Sequence, residues 1–272
     1  MKHTASVWAS VWISATAGAL LLGQSGIAMA ETGGKKKAGD GKIAASPLGW
    51  AGEVTVGYIE KAGNTRSTSF NGKSRAIREG EIWRNTFKLE GANESAEDIR
   101  TDENYFAASQ LDYKFGEDAY LFSLLEYTDD RFSGYDYEGS ITFGYGHKLI
   151  NEADQLWAVD AGLGYRRSEV ELVDDTEEEA VVRLATRYKL NVTDTTVFEE
   201  EASTEIGQER TASKSLTRLK FSINASLWAA LSYEIKHTTD APLGLSQSDS
   251  GDTAAESKNS DRTTSIGLNY SF

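Results

Sequence analysis

Residues 263–272 (TTSIGLNYSF) alternate strictly between small or polar and apolar side chains. A period of two puts one set of side chains on each face of a β-strand, so the two faces are expected to meet different surroundings. The chain also ends on an aromatic residue, and aromatic side chains are typical of the borders of membrane barrels. The segment therefore predicts a barrel-closing C-terminal strand with one lipid-facing row: Ile266, Leu268, Tyr270 and Phe272.

The N-terminal thirty residues have the pattern of a secretory signal peptide. Lys2 precedes an apolar run, and Ala28-Met29-Ala30 forms a small-x-small site, so cleavage is expected near Ala30. The alternative is an uncleaved anchor, but the leucine-rich part is too short to span a bilayer comfortably. Residues 1–30 are thus predicted to be a signal peptide, 31–48 a flexible tail with three consecutive lysines, and 49–272 the folded domain.

The composition excludes several classes of function. With 42 acidic and 28 basic residues, the chain has a net charge of −14 and would be repelled by nucleic-acid phosphates. It has no cysteine, which excludes disulfides and thiol chemistry. Two prolines and 25 glycines fit long strands that are joined by tight turns. No cofactor is predicted.

Strand-like segments follow one another from residue 50 to the end of the chain. Segments 135–148 and 157–166 alternate most clearly, whereas 65–78 is weakly patterned and 195–206 contains three consecutive glutamates. Since the segments exceed the usual strand length of about five or six residues, a membrane barrel is favoured over a soluble sandwich, which is the alternative.

The connections between these segments carry separate information. Those after even-numbered segments are short, while the polar stretches 91–100, 168–176 and 239–257 follow odd-numbered ones. Short periplasmic turns and longer external loops are the rule for outer-membrane barrels. The fold is therefore predicted to be all-β, a transmembrane antiparallel barrel of about twelve strands with that asymmetry.

On the clearest segments, the polar face carries charges of both signs and is predicted to line the lumen. Opposite charges in a narrow barrel can pair and fill it, or they can line a channel. The sequence leaves both an open and a plugged lumen as possibilities. The lumen-lining candidates are Asp136, Glu138, Asp160, Arg166, Arg183, Arg187 and Lys189.

Acidic residues cluster in stretches that this topology places outside the membrane. The first interpretation is a solvated surface. The second is a set of carboxylates that collects divalent cations, either bridging to lipopolysaccharide phosphates or enriching cations at a pore mouth. The candidates are Asp129, Asp130, Asp174, Asp175, Glu177, Glu178 and Glu179.

Two histidines, His147 and His237, remain after the predicted cleavage, and they lie on different predicted strands. Neither belongs to a recognisable metal-ligand or Ser-His-acid pattern. No catalytic residue is predicted, and the chain is not expected to be an enzyme. A lipid-acting barrel enzyme with its site hidden in loops is the alternative.

Short blocks along the chain carry a family resemblance. The chain resembles the salt-induced outer-membrane proteins of Gram-negative bacteria, a family of unknown function, over roughly residues 50–272. The resemblance implies an outer-membrane barrel, but neither catalytic residues nor a substrate. The blocks are, in order, 62–65 (AGNT), 113–115 (YKF), 126–133 (EYTDDRFS), 144–147 (GYGH), 162–166 (GLGYR), 242–244 (PLG) and Asp261.

Together, these patterns predict a structural or envelope-homeostasis role, with a narrow pore for ions or small solutes as one form of it. The expected location is the outer membrane of a Gram-negative bacterium. The expected partners are outer-membrane lipid, lipopolysaccharide, divalent cations and the barrel-assembly machinery, which recognises such C-terminal strands. Besides the lipid-acting enzyme, an adhesin that binds through 239–257 is an alternative.

Overall fold

A computed structural model of the protein describes residues 49–61, 67–96, 99–131, 133–170, 175–239, 243–248, 251–256 and 259–272. These residues form fourteen β-strands. The predicted signal peptide and tail lie outside them. The strands are β1 (Trp50–Lys61), β2 (Ser67–Glu79), β3 (Trp83–Ala96), β4 (Ile99–Lys114), β5 (Ala119–Asp130), β6 (Tyr135–Asn151), β7 (Gln155–Val170), β8 (Asp175–Thr193), β9 (Thr196–Ile206), β10 (Thr211–Ser222), β11 (Leu227–Thr238), β12 (Leu243–Ser248), β13 (Gly251–Glu256) and β14 (Ser260–Ser271).

Twelve of these strands form a closed barrel in which β1 to β11 are antiparallel neighbours in chain order. The C-terminal strand β14 lies between β11 and β1, with Leu268 paired to Val56 on one side and to Ala229 on the other. Closure leaves the barrel without an edge strand, as a membrane requires. The predicted all-β antiparallel barrel, closed by its last strand, is confirmed.

The two ends of the barrel differ. One end, which we call the turn end, carries the short connections 80–82, 115–118, 152–154, 194–195 and 223–226. The first and last strands also meet there, where the Gly52 amide donates a hydrogen bond to the Phe272 carbonyl at 3.0 Å. The opposite, loop end carries connection 239–259, in which β12 and β13 pair as a separate hairpin. Both barrel termini therefore lie at the turn end.

The predicted loops are shorter than expected. Most of 91–100 and 168–176 is strand, because β3 and β4 pair as far as Ala96 and Ile99, and β7 and β8 as far as Val170 and Asp175. Polar residues in a sequence suggest a loop. A neighbouring strand can nevertheless form hydrogen bonds with their backbone N–H and C=O groups, whatever the side chain. The long polar stretch 239–257, predicted to be an external loop, contains the β12–β13 hairpin.

The outer surface of the barrel is a band of exposed apolar side chains. Leu163 and Ile266 are 70% and 71% exposed, values that would be unfavourable in water and are expected against lipid. Aromatic pairs lie at the turn end, such as Trp83 with Tyr113 at 5.0 Å between ring centroids. No helix among the described residues is long and apolar enough to cross a membrane.

Inside the barrel, one wall is packed by large side chains. Tyr120, Phe122 and Leu124 of β5 are buried and point inward against glycines of β6 and β7. A Cβ atom on Gly144 would lie 2.6 Å from the Phe122 ring, and one on Gly146 would overlap the Tyr120 ring. The blocks GYGH and GLGYR therefore supply a glycine trough for these rings.

This packing predicts that Gly146→Ala destabilises the barrel by about 1–3 kcal/mol, the usual cost of overpacking. The measurement is a urea unfolding titration of the refolded protein in detergent micelles, followed by tryptophan fluorescence. Gly139→Ala on the same strand is the matched control, because its Cβ would meet nothing closer than 4.0 Å. Equal stability of the two variants would contradict the packing role.

Candidate functional site in the barrel lumen

Ion pairs cross the lumen from one wall to the other. Glu201 on β9 accepts a hydrogen bond from Lys88 Nζ on β3 at 2.7 Å, and β3 and β9 lie opposite each other in the closed strand order. Arg75 on β2 reaches the same carboxylate at 3.3 Å. A side-chain pair of this length joins opposite walls, so the lumen is bridged at this level.

Strand β10 adds further cations to this layer. Arg218 contacts Glu201 at 2.9 Å, Glu199 at 3.1 Å and Glu53 at 3.4 Å. Lys220 bridges Glu53 and Glu199 at 3.1 and 2.9 Å. The strands β1, β9 and β10 are therefore tied together on the lumen side. We call Glu53, Arg75, Lys88, Glu199, Glu201, Arg218 and Lys220 the central ion-pair layer.

A second group of charges lies beside this layer. Glu90 on β3 is 3.2 Å from Lys73 on β2 and 3.3 Å from Lys214 on β10. Both lysines also pair with Glu234 on β11. Arg183 on β8 joins the carboxylates of Glu126 and Glu205, on β5 and β9, at 3.0 and 2.9 Å. The pattern of opposite charges from distant strands thus repeats along the lumen.

The ionic and the aromatic parts of the lumen meet at one point. Arg187 on β8 is 3.3 Å from Asp160 and donates to the Tyr120 hydroxyl at 2.8 Å, and that hydroxyl donates to Asp160. Next to them, the fully buried Asp112 accepts a hydrogen bond from Gln110 at 2.7 Å. Charged and apolar side chains together fill the interior at this height.

On the loop-end side of these charges lies a cavity of about 670 Å³. Asn104, Ser133 and Asn259 line it near the rim, while Lys214 and Glu234 lie at its inner end. Arg210, from the β9–β10 connection, folds into the barrel with its guanidinium 3.9 Å from the centre of the Tyr135 ring. The cavity is a vestibule that extends towards the loop end and is bounded by ion pairs at its inner end.

Most of the predicted lumen residues are brought together here. Glu138 pairs with Arg210, Arg166 with Glu179, and Lys189 is the register partner of Glu199. Asp160, Arg183 and Arg187 make the contacts given above. Asp136 differs, because a β-bulge between Tyr135 and Tyr137 interrupts the alternation and leaves its side chain exposed.

Sequence reasoning missed the central ion-pair layer. Three of its seven charges, Arg75, Glu199 and Glu201, lie in the two segments with the weakest hydrophobic patterns, 65–78 and 195–206. The spacing of Arg75 from Lys73, and of Glu201 from Glu199, shows the period of two that would have placed them on one face. When charged residues alternate with small or polar residues, the two faces of the strand differ little in hydrophobicity. The alternation that marks a strand was therefore not visible in these segments.

The acidic candidates do not share one surface. Glu177 and Glu179 face inward, where Tyr135 donates to Glu177 at 3.2 Å and Arg166 Nε to Glu179 at 3.1 Å. Glu178 pairs on the outside with Arg167 at 3.4 Å. Asp175 begins β8, and Asp174 lies outside the described residues.

The remaining two acidic candidates end β5. Asp130 accepts a hydrogen bond from Asn104 at 2.6 Å. Asp129 precedes it on the same strand and is the register partner of Tyr105 on β4. Within the described ranges, no group of three or more potential ligands could hold a metal ion. Binding of divalent cations by the predicted acidic residues stays a prediction.

The two histidines lie at opposite ends of the barrel. His147 Nδ1 is 3.2 Å from the Tyr145 hydroxyl near the turn end of β6. His237 Nδ1 is 2.7 Å from Ser260 Oγ at the loop end of β11. The structure therefore does not combine them into one site.

The central ion-pair layer predicts a large effect of Glu201→Ala on stability, because Arg75, Lys88 and Arg218 would lose a shared partner. We expect a loss of roughly 3 kcal/mol, as for other buried pairs broken on one side. Glu178→Ala breaks an exposed pair and should cost under about 1 kcal/mol. Urea titration in micelles measures both, and equal losses would show that the layer contributes nothing special.

Comparison with known proteins gives one relative and several structures. "Uncharacterized protein YdiY" of Escherichia coli (strain K12) is 25% identical over 222 residues, covering 81% of this chain and 82% of that protein. The NanC porin is 11% identical with a TM-score of 0.48, covering 80% of this chain and 98% of that one. The translocator domain of autotransporter NalP from Neisseria meningitidis is 12% identical with a TM-score of 0.45, covering 85% and 91%.

The family described as "Protein of unknown function, DUF481" matches residues 54–272, which is the whole barrel except the start of β1. The match includes all the sequence blocks that carry the resemblance, among them the GYGH and GLGYR blocks of the glycine trough. On this match, the chain belongs to that family of unknown function.

Proposed function

We propose that the protein is a non-catalytic barrel of the Gram-negative outer membrane that provides a narrow, normally closed path for ions or small solutes. The observation that carries this proposal is the pair formed by Lys88 and Glu201, which spans the lumen at 2.7 Å. A polar interior whose lysines are partly exposed can exchange ion-pair partners with passing ions, whereas an apolar core could not.

The location is supported by the molecule's two surfaces. A closed barrel with an apolar outer band and a charged interior is stable in a bilayer and unfavourable in water. The predicted signal peptide and the aromatic C-terminal strand agree with secretion and assembly in the outer membrane. In this orientation the turn end faces the periplasm and the vestibule faces outward.

The structure supports a narrow path over a wide one. Besides the central ion-pair layer, the inward side chains of Tyr120, Phe122 and Leu124 on β5 occupy part of the lumen cross-section. Among the lumen cations whose ion pairs are described above, Lys73, Lys88 and Lys214 keep the largest side-chain exposure, 30–31%. Flexible lysine side chains can move aside and return, while the arginines hold several carboxylates at once.

Single-channel recording in planar bilayers tests the proposal. We expect rare, small steps for the wild type and larger, more frequent ones for the double variant Lys88→Ala/Glu201→Ala. The double variant removes the pair without changing the net charge of the lumen. Arg167→Ala/Glu178→Ala is the control, since it removes an exposed pair. If neither wild type nor double variant conducts while both remain folded, the barrel has a purely structural role.

Ion preference gives an independent prediction from the same two residues. Glu201→Ala leaves an excess positive charge in the lumen and should shift the reversal potential in a salt gradient towards anions. Lys88→Ala leaves an excess negative charge and should shift it towards cations. Shifts of the same sign, or none in conducting variants, would place the conducting path away from this pair.

A further inference from the structure

The joint between the first and last strands of the barrel is short. β1 pairs with β2 along Trp50–Lys61, and β14 pairs with β11 along Ser260–Tyr270, so each strand is held by its other neighbour. Towards each other, β1 and β14 pair only along Glu53–Val56 and Leu268–Ser271. On the loop-end side of these pairs, the two strands share no register pair, although the structure describes both. We call this part of the joint, 57–61 with 260–267, the β1–β14 seam.

The lumen-side residues change where the pairing stops. On the turn-end side of that point, the Asn269 side-chain amide donates to Thr55 Oγ1 at 2.9 Å and to Glu53 Oε2 at 3.2 Å. These hydrogen bonds join β14 to β1 inside the barrel. The next lumen-side residues are Gly57 and Gly267, because side chains alternate between the two faces. The seam therefore begins where hydrogen-bonding side chains give way to glycine.

The seam lies at the depth of the hydrocarbon. Leu268 is four residues from Phe272 at the turn end, which is roughly 10 Å of height for about 3.3 Å per residue and a tilt of about 40°. The apolar band of such barrels is about 25 Å tall, so the seam begins inside it. The outward side chains beside it are apolar and exposed, namely Val56, Phe70 and Ile266.

The vestibule lies behind the seam. Its lining includes Thr263 and Ser265 of β14 and Asn71 of β2. Asn71 also covers the lumen face of β1, since a Cβ atom on Gly57 would lie 2.5 Å from its Oδ1 atom. Backbone groups without a strand partner are costly in hydrocarbon and are tolerated at membrane depth where they line a polar cavity. The wall thus separates lipid from a polar cavity by two strands that do not pair with each other.

We infer that the β1–β14 seam is a lateral opening through which a membrane amphiphile places its polar headgroup in the vestibule while its alkyl chain stays in the lipid. The two surroundings that meet at the seam match the two ends of such a molecule. Charges in the vestibule come as ion pairs, such as Lys73 with Glu90 at 3.2 Å and Arg183 with Glu126 at 3.0 Å. A zwitterionic or uncharged headgroup suits this lining better than one of high net charge.

This inference rests on the proposed membrane location but not on conduction through the lumen. The seam lies on the loop-end side of Glu53, which belongs to the central ion-pair layer. A headgroup could therefore occupy the vestibule of a barrel that never conducts. Conversely, a barrel whose seam stays shut could still conduct through the lumen. Failure of one proposal is distinguishable from failure of the other.

Photolabelling in phosphatidylcholine vesicles tests the opening. The probe is lysophosphatidylcholine with a diazirine in its headgroup. Because the chain has no cysteine, the disulfide of Gly57→Cys/Gly267→Cys can lock the seam, and that of Thr55→Cys/Asn269→Cys, at a register pair, is the matched control. We expect labelled vestibule peptides, 69–73 and 263–265, in the wild type and the control. The oxidised seam lock should lose this labelling, and reduction should restore it.

Two results of this experiment would overturn the inference. The first is a wild type whose vestibule peptides carry no label. The second is equal labelling of the oxidised and reduced seam lock, because the headgroup would then enter from the aqueous mouth of the barrel.

Hydrogen exchange of the wild type tests the seam without any substitution. In micelles, residue-resolved NMR should show that amides of 57–60 and 262–267 that point to the joint exchange about tenfold faster, or more, than those of 53–56 and 268–271. The β10–β11 joint is the control, since its pairing runs without interruption from Ala212 to Ser222. Uniform protection along β1 and β14 would contradict the seam.

Discussion

Charges inside this barrel are stable only where a partner reaches them, and the Glu201 carboxylate is where most partners meet. Three cations from three strands converge on it, one of them from the opposite wall. Removal of one member leaves the remaining charges without a partner and poorly solvated. The free energy lost in this way exceeds the net stabilisation that the intact ion pair provides. The barrel wall is thus braced across its interior by ion pairs that join opposite strands.

The interior is filled in two different ways around its circumference. Towards the turn end, strands β5 to β7 use the Tyr120 and Phe122 rings in a glycine trough, which is close packing with Asp160 as the charge beside it. Strands β1 to β3 and β8 to β11 use long charged side chains that tolerate some water. Arg187 joins the two parts, because it contacts both Asp160 and the Tyr120 hydroxyl. If ions cross the lumen as proposed, the path would run on the ionic side, because the rings of β5 fill the other side.

The sequence predicts what depends on alternation and misses what depends on register. Arg183 was correctly expected to face inward, but its partners Glu126 and Glu205 follow from strand stagger, which no local pattern contains. Alternation can also fail to predict the face on which a residue lies. A β-bulge next to Asp136 places its side chain on the outer face, although the alternation predicted the inner one. The glycines of GYGH and GLGYR were recognised as blocks, yet their role appears only when Tyr120 and Phe122 are placed against them.

The two weakest strand signals, in β2 and β9, have different causes, and the difference bears on the outer surface. In β2, Lys73 and Arg75 point inward, and the outward residues between and beside them are small: Gly72, Ser74 and Ala76. Large apolar residues on the neighbouring strands flank these small residues in register: Val54, Val56, Phe87 and Leu89. In β9 the inward glutamates are matched outside by Glu200, and its neighbour on β10 is Thr217, a second polar residue. A strand with polar side chains on both faces has no lipid-facing row of its own.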